Sequence, residues 1–339
     1  MEYSSLSGGR YLLGKQIGKG GEAKIFDVIN YNSAVAKLYN AELCTSCREQ
    51  KLKVLLQIPI DPILEEQVAF PRDILYQNGR FVGFVMRKIF GGVSLDALCR
   101  DESFDMRKRI TVAQNLCALL NDIHHVGLIV GDLNPFNILV IPSTGMVRLI
   151  DVDSWHVLDH NKVYRCEVCI PEYTSPAITN RMTGQTLKTA DLPTFSKESD
   201  IYSLSVLIFM LLMNGTYPFA VGLARGNKAE EAPQPVELMR EYRFPYTQCP
   251  AGCRLPVYGL PYKVLSPRLQ AMFSKIFSQG DGVSIERWFD SLHEFEKEIG
   301  KTCKDNEAHK FREGLYKCPY CTVARNQEKF LKKLRNEIV

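Results

Sequence analysis

The most constraining feature of the sequence is a polar loop set between apolar segments. Asp132 is followed five residues later by Asn137, and Asp151 lies fourteen residues beyond that. The apolar segments 138–140 and 147–150 predict two short strands joined by a turn at 143–145. A phosphoryl-transfer site needs this set, because one Asp orients the accepting hydroxyl while the Asn and the second Asp hold magnesium on nucleotide phosphates.

The composition indicates a globular protein without a nucleic-acid or membrane partner. Hydrophobic residues make up 45% and charged residues 24% of the 339 positions, enough for a large core in two or three compact units. A net charge of +4 is too small to indicate nucleic acid, and the basic run 332–335 is typical of a solvated helix face. The longest apolar run, 206–213, is far shorter than the ~20 residues that span a bilayer.

The eleven cysteines are expected to be reduced thiols or metal ligands. The N-terminus lacks a basic segment followed by an apolar one, so the sequence predicts no signal peptide. A disulfide framework is not expected without secretion, and we therefore predict a cytoplasmic location.

The predicted elements form a small strand-rich part followed by a larger helical part. Glycine-broken strands are predicted within 11–39, and a further strand over 81–86 follows the turn at 78–79. Helical patterns cover 47–57, 105–125, 199–213 and 265–300. The third is apolar on most faces, so it should lie at the centre of the helical part. Residues 220–262, rich in Pro and Gly, predict a long irregular insertion.

A glycine-rich turn and a lysine add a phosphate-binding pattern. Gly18, Gly20 and Gly21 lie between two predicted strands, where backbone N–H groups can approach phosphates without a Cβ in the way. Such a turn is often only a turn, and it is not a P-loop because no Gly-Lys-Ser/Thr follows. Lys37, in the next apolar strand, favours the phosphate interpretation, since a buried ammonium needs phosphates and a carboxylate partner.

Glu49 is the candidate partner of Lys37. It lies on the predicted helix 47–57, three residues before Leu52, and would share the inward face of that residue. Glu42 is the alternative.

Seven motifs in one order resemble those of a eukaryotic-type protein kinase, and the resemblance covers about residues 10 to 300. Four are the glycine-rich loop, a Val-Ala-x-Lys motif shortened by one residue at 35–37, the Asp132 to Asn137 loop, and Asp151. The other three resemble the end of an activation segment, the start of a buried helix whose Asp binds the catalytic-loop backbone, and a Gly-x-x-Pro-Phe motif; they lie at 172–176, 199–204 and 215–219.

The resemblance implies an α+β, bilobal protein kinase fold. The N-lobe would cover 1–89, the C-lobe 90–300, and a small module with a terminal helix 301–339. It also implies an ATP- and magnesium-dependent serine/threonine protein kinase acting on protein substrates.

The resemblance also assigns site residues. Asp132 would position the substrate hydroxyl, Asn137 and Asp151 would bind magnesium, and Lys37 would hold the α- and β-phosphates. Met86 would be the gatekeeper, and Lys88 would lie in the hinge that receives adenine.

Four positions depart from the family pattern. Gly131 replaces the usual Arg, which removes a cation for a phosphorylated loop and implies activity without loop phosphorylation. Asn134 replaces a Lys near the γ-phosphate, and Asp153 replaces a Gly, with an open role. Ala177 replaces a Glu whose Arg partner is also missing near 282–284, which is consistent because one buried charge alone is costly.

Two comparisons within the family suggest different partners and substrates. Residues 130–135 and 150–154, with the C-terminal tail, most resemble bacterial kinases encoded beside tellurite-resistance von Willebrand-type proteins and a PP2C-type phosphatase, and so imply such partners. The Gly-Asp-x4-Asn form of the loop is also similar to choline and aminoglycoside kinases, although the glycine-rich loop and the Pro-Phe motif weigh against a small-molecule substrate. A pseudokinase scaffold that binds nucleotide or partners is the other alternative.

Cysteine pairs indicate metal chemistry at the C-terminus. Cys303, His309, Cys318 and Cys321 have the ligand types and the Cys-x2-Cys spacing of a structural zinc site, in a tail too short for its own core. Two further Cys-x2-Cys pairs allow a metal or redox site, or ordinary thiols; these are Cys44 with Cys47 and Cys166 with Cys169.

Overall fold

The chain begins with six strands that close into a barrel. A computed structural model describes residues 1–160, 162–182, 193–224 and 231–338. The barrel strands are β1 (Glu2–Ser5), β2 (Arg10–Lys19), β3 (Ala23–Val28), β4 (Ala34–Tyr39), β5 (Pro71–Gln77) and β6 (Arg80–Arg87). They run in the order β1-β2-β3-β4-β6-β5, and β1 pairs antiparallel with both β2 and β5. Closure removes the free strand edges.

Alternation along β4 and β6 places Lys37 on the outer face of the barrel. Val35 pairs with Met86, and Lys37 pairs with Phe84. All four are buried, whereas Ala36, between them, packs into the barrel interior. Because side chains alternate along a strand, Lys37 and Met86 share one face.

Helices dominate the rest of the chain. The helices are α1 (Ser46–Leu55), α2 (Pro62–Gln67), α3 (Leu95–Arg100), α4 (Met106–His125), α5 (Pro176–Met182), α6 (Lys197–Leu212), α7 (Pro235–Arg240), α8 (Pro267–Gln279), α9 (Ile285–Glu298) and α10 (Pro319–Ile338). The short strands β7 (Val93–Ser94), β8 (Ile138–Ile141) and β9 (Met146–Leu149) form one sheet. Three two-stranded pairs remain: β10 (Val157–Asp159) with β11 (Lys162–Tyr164), β12 (Gly222–Leu223) with β13 (Cys253–Arg254), and β14 (Lys301–Thr302) with β15 (Lys310–Phe311).

The two central helices follow the sequence prediction. Asp105 caps α4 by accepting the N–H of Lys108, and Ser196 and Ser199 form a capping box that starts α6. Thirteen of the 16 residues of α6 are buried, so this helix lies in the core as expected. Within the described residues, no helix is long and apolar enough to cross a membrane.

Two predicted segments differ from the structure. The pattern over 265–300 forms two helices, because Gly280 takes a left-handed conformation (φ 73°) that ends α8. The described parts of the segment 220–262, which are 220–224 and 231–262, contain α7 and the β12–β13 pair. Proline at the start of α7 supports that helix, since it needs no N–H there.

A buried arginine joins the ends of three helices, which the sequence did not indicate. Arg109 on α4 is 1% exposed, and its guanidinium donates to the carbonyl oxygens of Cys99 (3.0 Å), Phe104 (2.7 Å) and Leu211 (3.1 Å). Burial lowers the pKa of Arg109. These bonds fix α4 against α3 and α6 before the chain enters the polar loop.

Candidate active site

Asp132 lies in the tight loop between α4 and β8, as the sequence predicts. Its Oδ2 accepts a hydrogen bond from the Asn137 amide (3.3 Å), and its Oδ1 accepts one from the N–H of Ile170 (3.3 Å). Burial raises the pKa of Asp132 above that of an exposed carboxyl. The structure therefore brings the predicted carboxylate and amide together, under the segment that contains Ile170.

Asn134 organises this loop from within. It is buried, its Oδ1 accepts from the N–H groups of Phe136 (3.0 Å) and Asn137 (3.2 Å), and its amide donates to the carbonyl oxygen of Asp132 (3.1 Å). An Asn that bonds the backbone ahead of it is a typical turn residue. The Asn134 side chain thus stabilises the conformation of the loop backbone.

Asp200 on α6 accepts hydrogen bonds from the backbone of the loop, which confirms the expected role of this residue. Its carboxylate is fully buried and accepts from the N–H groups of Val130 and Gly131, both at 2.8 Å. His124 of α4 lies 3.0 Å from the same carboxylate through Nε2. One side chain therefore satisfies two backbone donors that face the core.

Gly131 is required by its conformation and by its neighbours. Its φ is +77°, which L-residues with side chains rarely adopt, and an added Cβ would lie 2.9 Å from the Cβ of Cys166. The segment around Cys166 therefore packs directly against the loop backbone, at the position where the kinase pattern has an Arg side chain.

Lys37 pairs with two carboxylates from one turn. Its Nζ lies 2.7 Å from Oδ1 of Asp151 and 2.7 Å from Oδ1 of Asp153. Oδ2 of Asp153 accepts from the Tyr39 hydroxyl at 2.7 Å. Burial alone would lower the pKa of Lys37, but the charges of Asp153 and Asp151 outweigh it and raise that pKa. The pKa of Asp153 is lowered because the charge of Lys37 outweighs the opposing effect of burial.

The backbone at Asp151 explains why both carboxylates reach Lys37. Asp151 has φ 66°, an uncommon left-handed conformation for a residue with a side chain, and a short 3₁₀ turn, Val152–Ser154, follows it. The Ser154 hydroxyl donates to the carbonyl oxygen of Asp151 (2.7 Å) and closes this turn. Such strain is typical of functional sites.

The expected pairing of Glu49 with Lys37 is wrong. The Glu49 carboxylate instead accepts from Lys53 Nζ (2.6 Å) and from the Tyr76 hydroxyl (2.8 Å). The buried face of α1 contains Lys51, which lies about 200° around the helix from Glu49. The alternative, Glu42, is exposed and does not take its place.

The glycine-rich turn lies against the Lys37 ion pair. Gly20 and Gly21 line a cavity of about 360 Å³ together with Lys37 and Asp151. A Cβ at Gly21 would meet open space, and the Gly20 N–H donates to the Ala23 carbonyl within the turn (2.9 Å). Gly18 pairs with Ile25 inside the sheet, so the two later glycines are the ones that border the cavity.

Met86, the expected gatekeeper, and Lys88, the expected hinge residue, differ in their surroundings. Met86 is buried on the same face as Lys37. The N–H of Lys88 donates to the Ser33 carbonyl (2.8 Å), and its ammonium lies 2.5 Å from Asp27. Both groups are engaged by β3 and the turn after it, so the expected nucleotide contact of Lys88 needs correction.

The two positions of the helical part that lack the Glu and the Arg of the family pattern border the same cavity. Ala177 and residues 282–284 line a common cavity of about 550 Å³. The buried Tyr202 also borders it. Because the Glu and its Arg partner are both absent, neither position leaves a buried charge without its partner. This agrees with the cost of an unpaired buried charge.

Four C-terminal residues converge as predicted. The ligand atoms of Cys303, His309, Cys318 and Cys321 all lie within 4.8 Å of one another. Cys303 and Cys321 are 3.7 Å apart through Sγ, and Cys318 Sγ lies 3.6 Å from His309 Nδ1. Three sulfurs and one imidazole nitrogen form a donor set suited to zinc.

The other two cysteine pairs do not form such a group within the described residues. Cys166 donates from Sγ to the Val168 carbonyl (3.0 Å), and Cys169 contacts the Met182 sulfur (3.8 Å). Burial raises the pKa of Cys166 to about 12, which is typical of a structural thiol. The hypothesis of a four-cysteine metal site is therefore not supported.

Comparison with known proteins adds the family. Residues 11–249 match the protein kinase domain. The chain belongs to the protein kinase family. It is 26% identical over 330 residues to "Protein kinase YegI" of Escherichia coli (strain K12), which covers 92% of this chain and 48% of that protein. The kinase thus spans about half the length of that relative.

More distant matches are also protein kinases. Ribosomal protein S6 kinase 2 alpha of Gallus gallus is 28% identical over 148 residues, 44% of this kinase and 19% of that protein. The autoinhibited serine kinase domain of the giant muscle protein titin superposes with a TM-score of 0.60 at 13% identity, covering 86% of this chain and 82% of that one. At this identity the likeness shows the fold alone.

Proposed function

We propose that this kinase transfers the γ-phosphate of ATP to serine or threonine hydroxyls of proteins in a magnesium-dependent reaction. The observation that carries the proposal is the shared site of Lys37, Asp151 and the glycine turn, with Asp132 and Asn137 bonded to each other. Phosphoryl transfer depends on positioning and electrostatic stabilisation, which these groups can supply.

Each group has a proposed task. Asp132 would orient the attacking hydroxyl and accept its proton, and Lys37 would neutralise the nucleotide phosphates. Asn137 and Asp151 fit a magnesium ion, which prefers oxygen ligands: Asp151 uses Oδ1 on Lys37, and its side chain is still 44% exposed. The ion would neutralise charge on the phosphates.

The domain boundaries and mode of activation are part of the proposal. Residues 1–89 would form the N-lobe, 90–300 the C-lobe and 301–339 a separate module. Gly131 supports activity without loop phosphorylation, because it supplies no cation for a phosphate. A PP2C-type phosphatase, a von Willebrand-type protein and a cytoplasmic location stay predictions from the sequence.

A catalytically silent scaffold is the second candidate. The N–H of Ile170 donates to Oδ1 of the Asp132 carboxylate, and this contact favours the scaffold. A scaffold would bind nucleotide without transferring phosphate.

An acceptor panel with labelled ATP and magnesium decides between these functions. We expect label on Ser or Thr of protein acceptors, detected by phosphopeptide mass spectrometry, and no label when magnesium is chelated. Label found exclusively on metabolites would replace the protein-kinase proposal by a small-molecule kinase. Nucleotide binding without any transfer would favour the scaffold.

We also propose that Cys303, His309, Cys318 and Cys321 bind one structural zinc ion. Replacing Cys318 by Ser should lower the zinc content from about one ion per chain to near zero and lower the melting temperature, because a tail this short needs the metal to fold. Native mass spectrometry gives the zinc count. Cys249→Ser, at an exposed cysteine outside the group, is the matched control. Equal zinc content in the two variants would contradict the site.

A further inference from the structure

The carboxylate partner of Lys37 comes from an unexpected place. A carboxylate on α1 was expected, yet the charged residue on the buried face of α1 is Lys51, and Asp153 provides the bond to Lys37. We infer that Asp153 is the positioning residue for Lys37, a task that has moved from α1 to the turn after β9, and that Lys51 balances its charge. The inference rests on the proposed kinase function.

The contacts of Asp153 favour positioning over metal binding. Oδ1 accepts from Lys37 and Oδ2 from Tyr39, each at 2.7 Å, so both oxygens are engaged. The residue is 8% exposed. Asp151 differs, since its Oδ1 accepts from Lys37 while 44% of its side chain is exposed. The two carboxylates of this turn thus have separate tasks.

A second carboxylate matters when Asp151 binds magnesium. The Lys37 side chain is 8% exposed, and a buried ammonium without a partner is strongly unfavourable. A metal ion on Asp151 would compete for the charge that Lys37 now shares. Asp153, whose two oxygens accept from Lys37 and Tyr39, would keep the ammonium beside the glycine turn, where phosphates would bind.

Lys51 completes the charge arrangement. It is 7% exposed and lines a cavity of about 460 Å³ together with Asp153 and Glu167. The charges of Lys37 and Lys51 both lower the pKa of Asp153 against the effect of burial. Compared with the family pattern, the turn after β9 gains a carboxylate where the family has a Gly, and α1 carries a lysine on its buried face in place of the expected carboxylate.

Three variants of the full chain separate orientation from charge balance. Asp153→Asn removes the partner of Lys37. Asp153→Asn with Lys51→Met removes one charge of each sign and restores the balance. Asp153→Asn with Lys51→Glu returns a carboxylate to α1. Glu49→Gln, on the outer side of α1, is the control, since Glu49 contacts Lys53 and Tyr76.

We expect Asp153→Asn to lower kcat/KM for ATP by about 10²-fold, because misplacing a catalytic group by about 1 Å has that effect. The variant with Lys51→Met should stay low, the variant with Lys51→Glu should regain at least about tenfold of the loss, and Glu49→Gln should match the wild type. Melting temperatures identify any variant that fails to fold.

Three results would overturn the inference. Equal recovery by the Met and Glu variants would show that Asp153 serves charge balance alone. Wild-type ATP affinity and turnover in a folded Asp153→Asn variant would show that Lys37 needs no second partner. The ATP affinity measured by calorimetry depends on the position of Lys37 even if no acceptor is phosphorylated. Failure of this inference can therefore be distinguished from failure of the proposed function. A raised magnesium requirement in Asp153→Asn would instead assign Asp153 to the metal.

Discussion

Replacing Asp132 by Asn is expected to slow phosphoryl transfer by about 10²- to 10⁴-fold, because general-base catalysis contributes that range. The Asn side chain has the same shape and can still accept the Ile170 N–H through its one oxygen, while only the 3.3 Å bond from the Asn137 amide is lost, so the loop should keep its conformation. It cannot take the proton of the attacking hydroxyl. Lys37 and Asp151 are unchanged, and ATP affinity should therefore stay close to the wild-type value. Single-turnover labelling and calorimetry measure the two quantities.

The control for this experiment is the same chemical change at an exposed site. Asp290→Asn lies on the exposed face of α9 and should leave transfer unchanged. Equal transfer by Asp132→Asn and wild type would remove Asp132 from the mechanism. Nucleotide binding without transfer in both proteins would favour the scaffold.

The site residues that the structure brings together as predicted belong to local patterns. Asp132, Asn137 and Asp151 lie on one loop and one hairpin, β8–β9, whose register follows from alternating apolar residues. Asp200 starts a helix buried on nearly all sides, so its contact with the core backbone also followed from the sequence. Sequence spacing is sufficient when a few residues fix the geometry.

The partner of Lys37 depended on long-range packing and was therefore missed. Asp153 is 116 residues away in the chain, and no local pattern sets the position of β4 relative to the turn after β9. The helical phase of α1 was also ambiguous, because Leu52 lies between the faces of Glu49 and Lys51. A useful signal was present: a lysine among the leucines of α1, and an Asp where the family has a Gly.

The hinge and the barrel show two other limits. The sequence places Lys88 in the hinge but gives no sign that Asp27 and Ser33 engage both of its polar groups. β1 is four residues long, with polar Glu2 and Ser4 on its exposed face, and it is too short to predict from alternation. It forms only because β2 and β5 both pair with it.

Replacing Asp200 by Ala is expected to lower the free energy of unfolding by about 3–5 kcal/mol, the usual loss when one partner of a buried charged network is removed. The change leaves the N–H groups of Val130 and Gly131 and the imidazole of His124 without their acceptor in the core. Each unsatisfied buried group costs about 1–3 kcal/mol. Transfer should fall as well, because Asp132 follows Gly131 directly.

Asp200→Asn is the matched variant and should lose less. Its single carbonyl oxygen can still accept from one backbone N–H, but its amide cannot accept from the other. Urea unfolding measures both variants, and the midpoint should shift without a change in slope if the denatured state is unaffected. A loss below about 1 kcal/mol in Asp200→Ala would mean that water replaces the carboxylate. The loop would then be held chiefly by Asn134 and by the packing of Cys166 on Gly131.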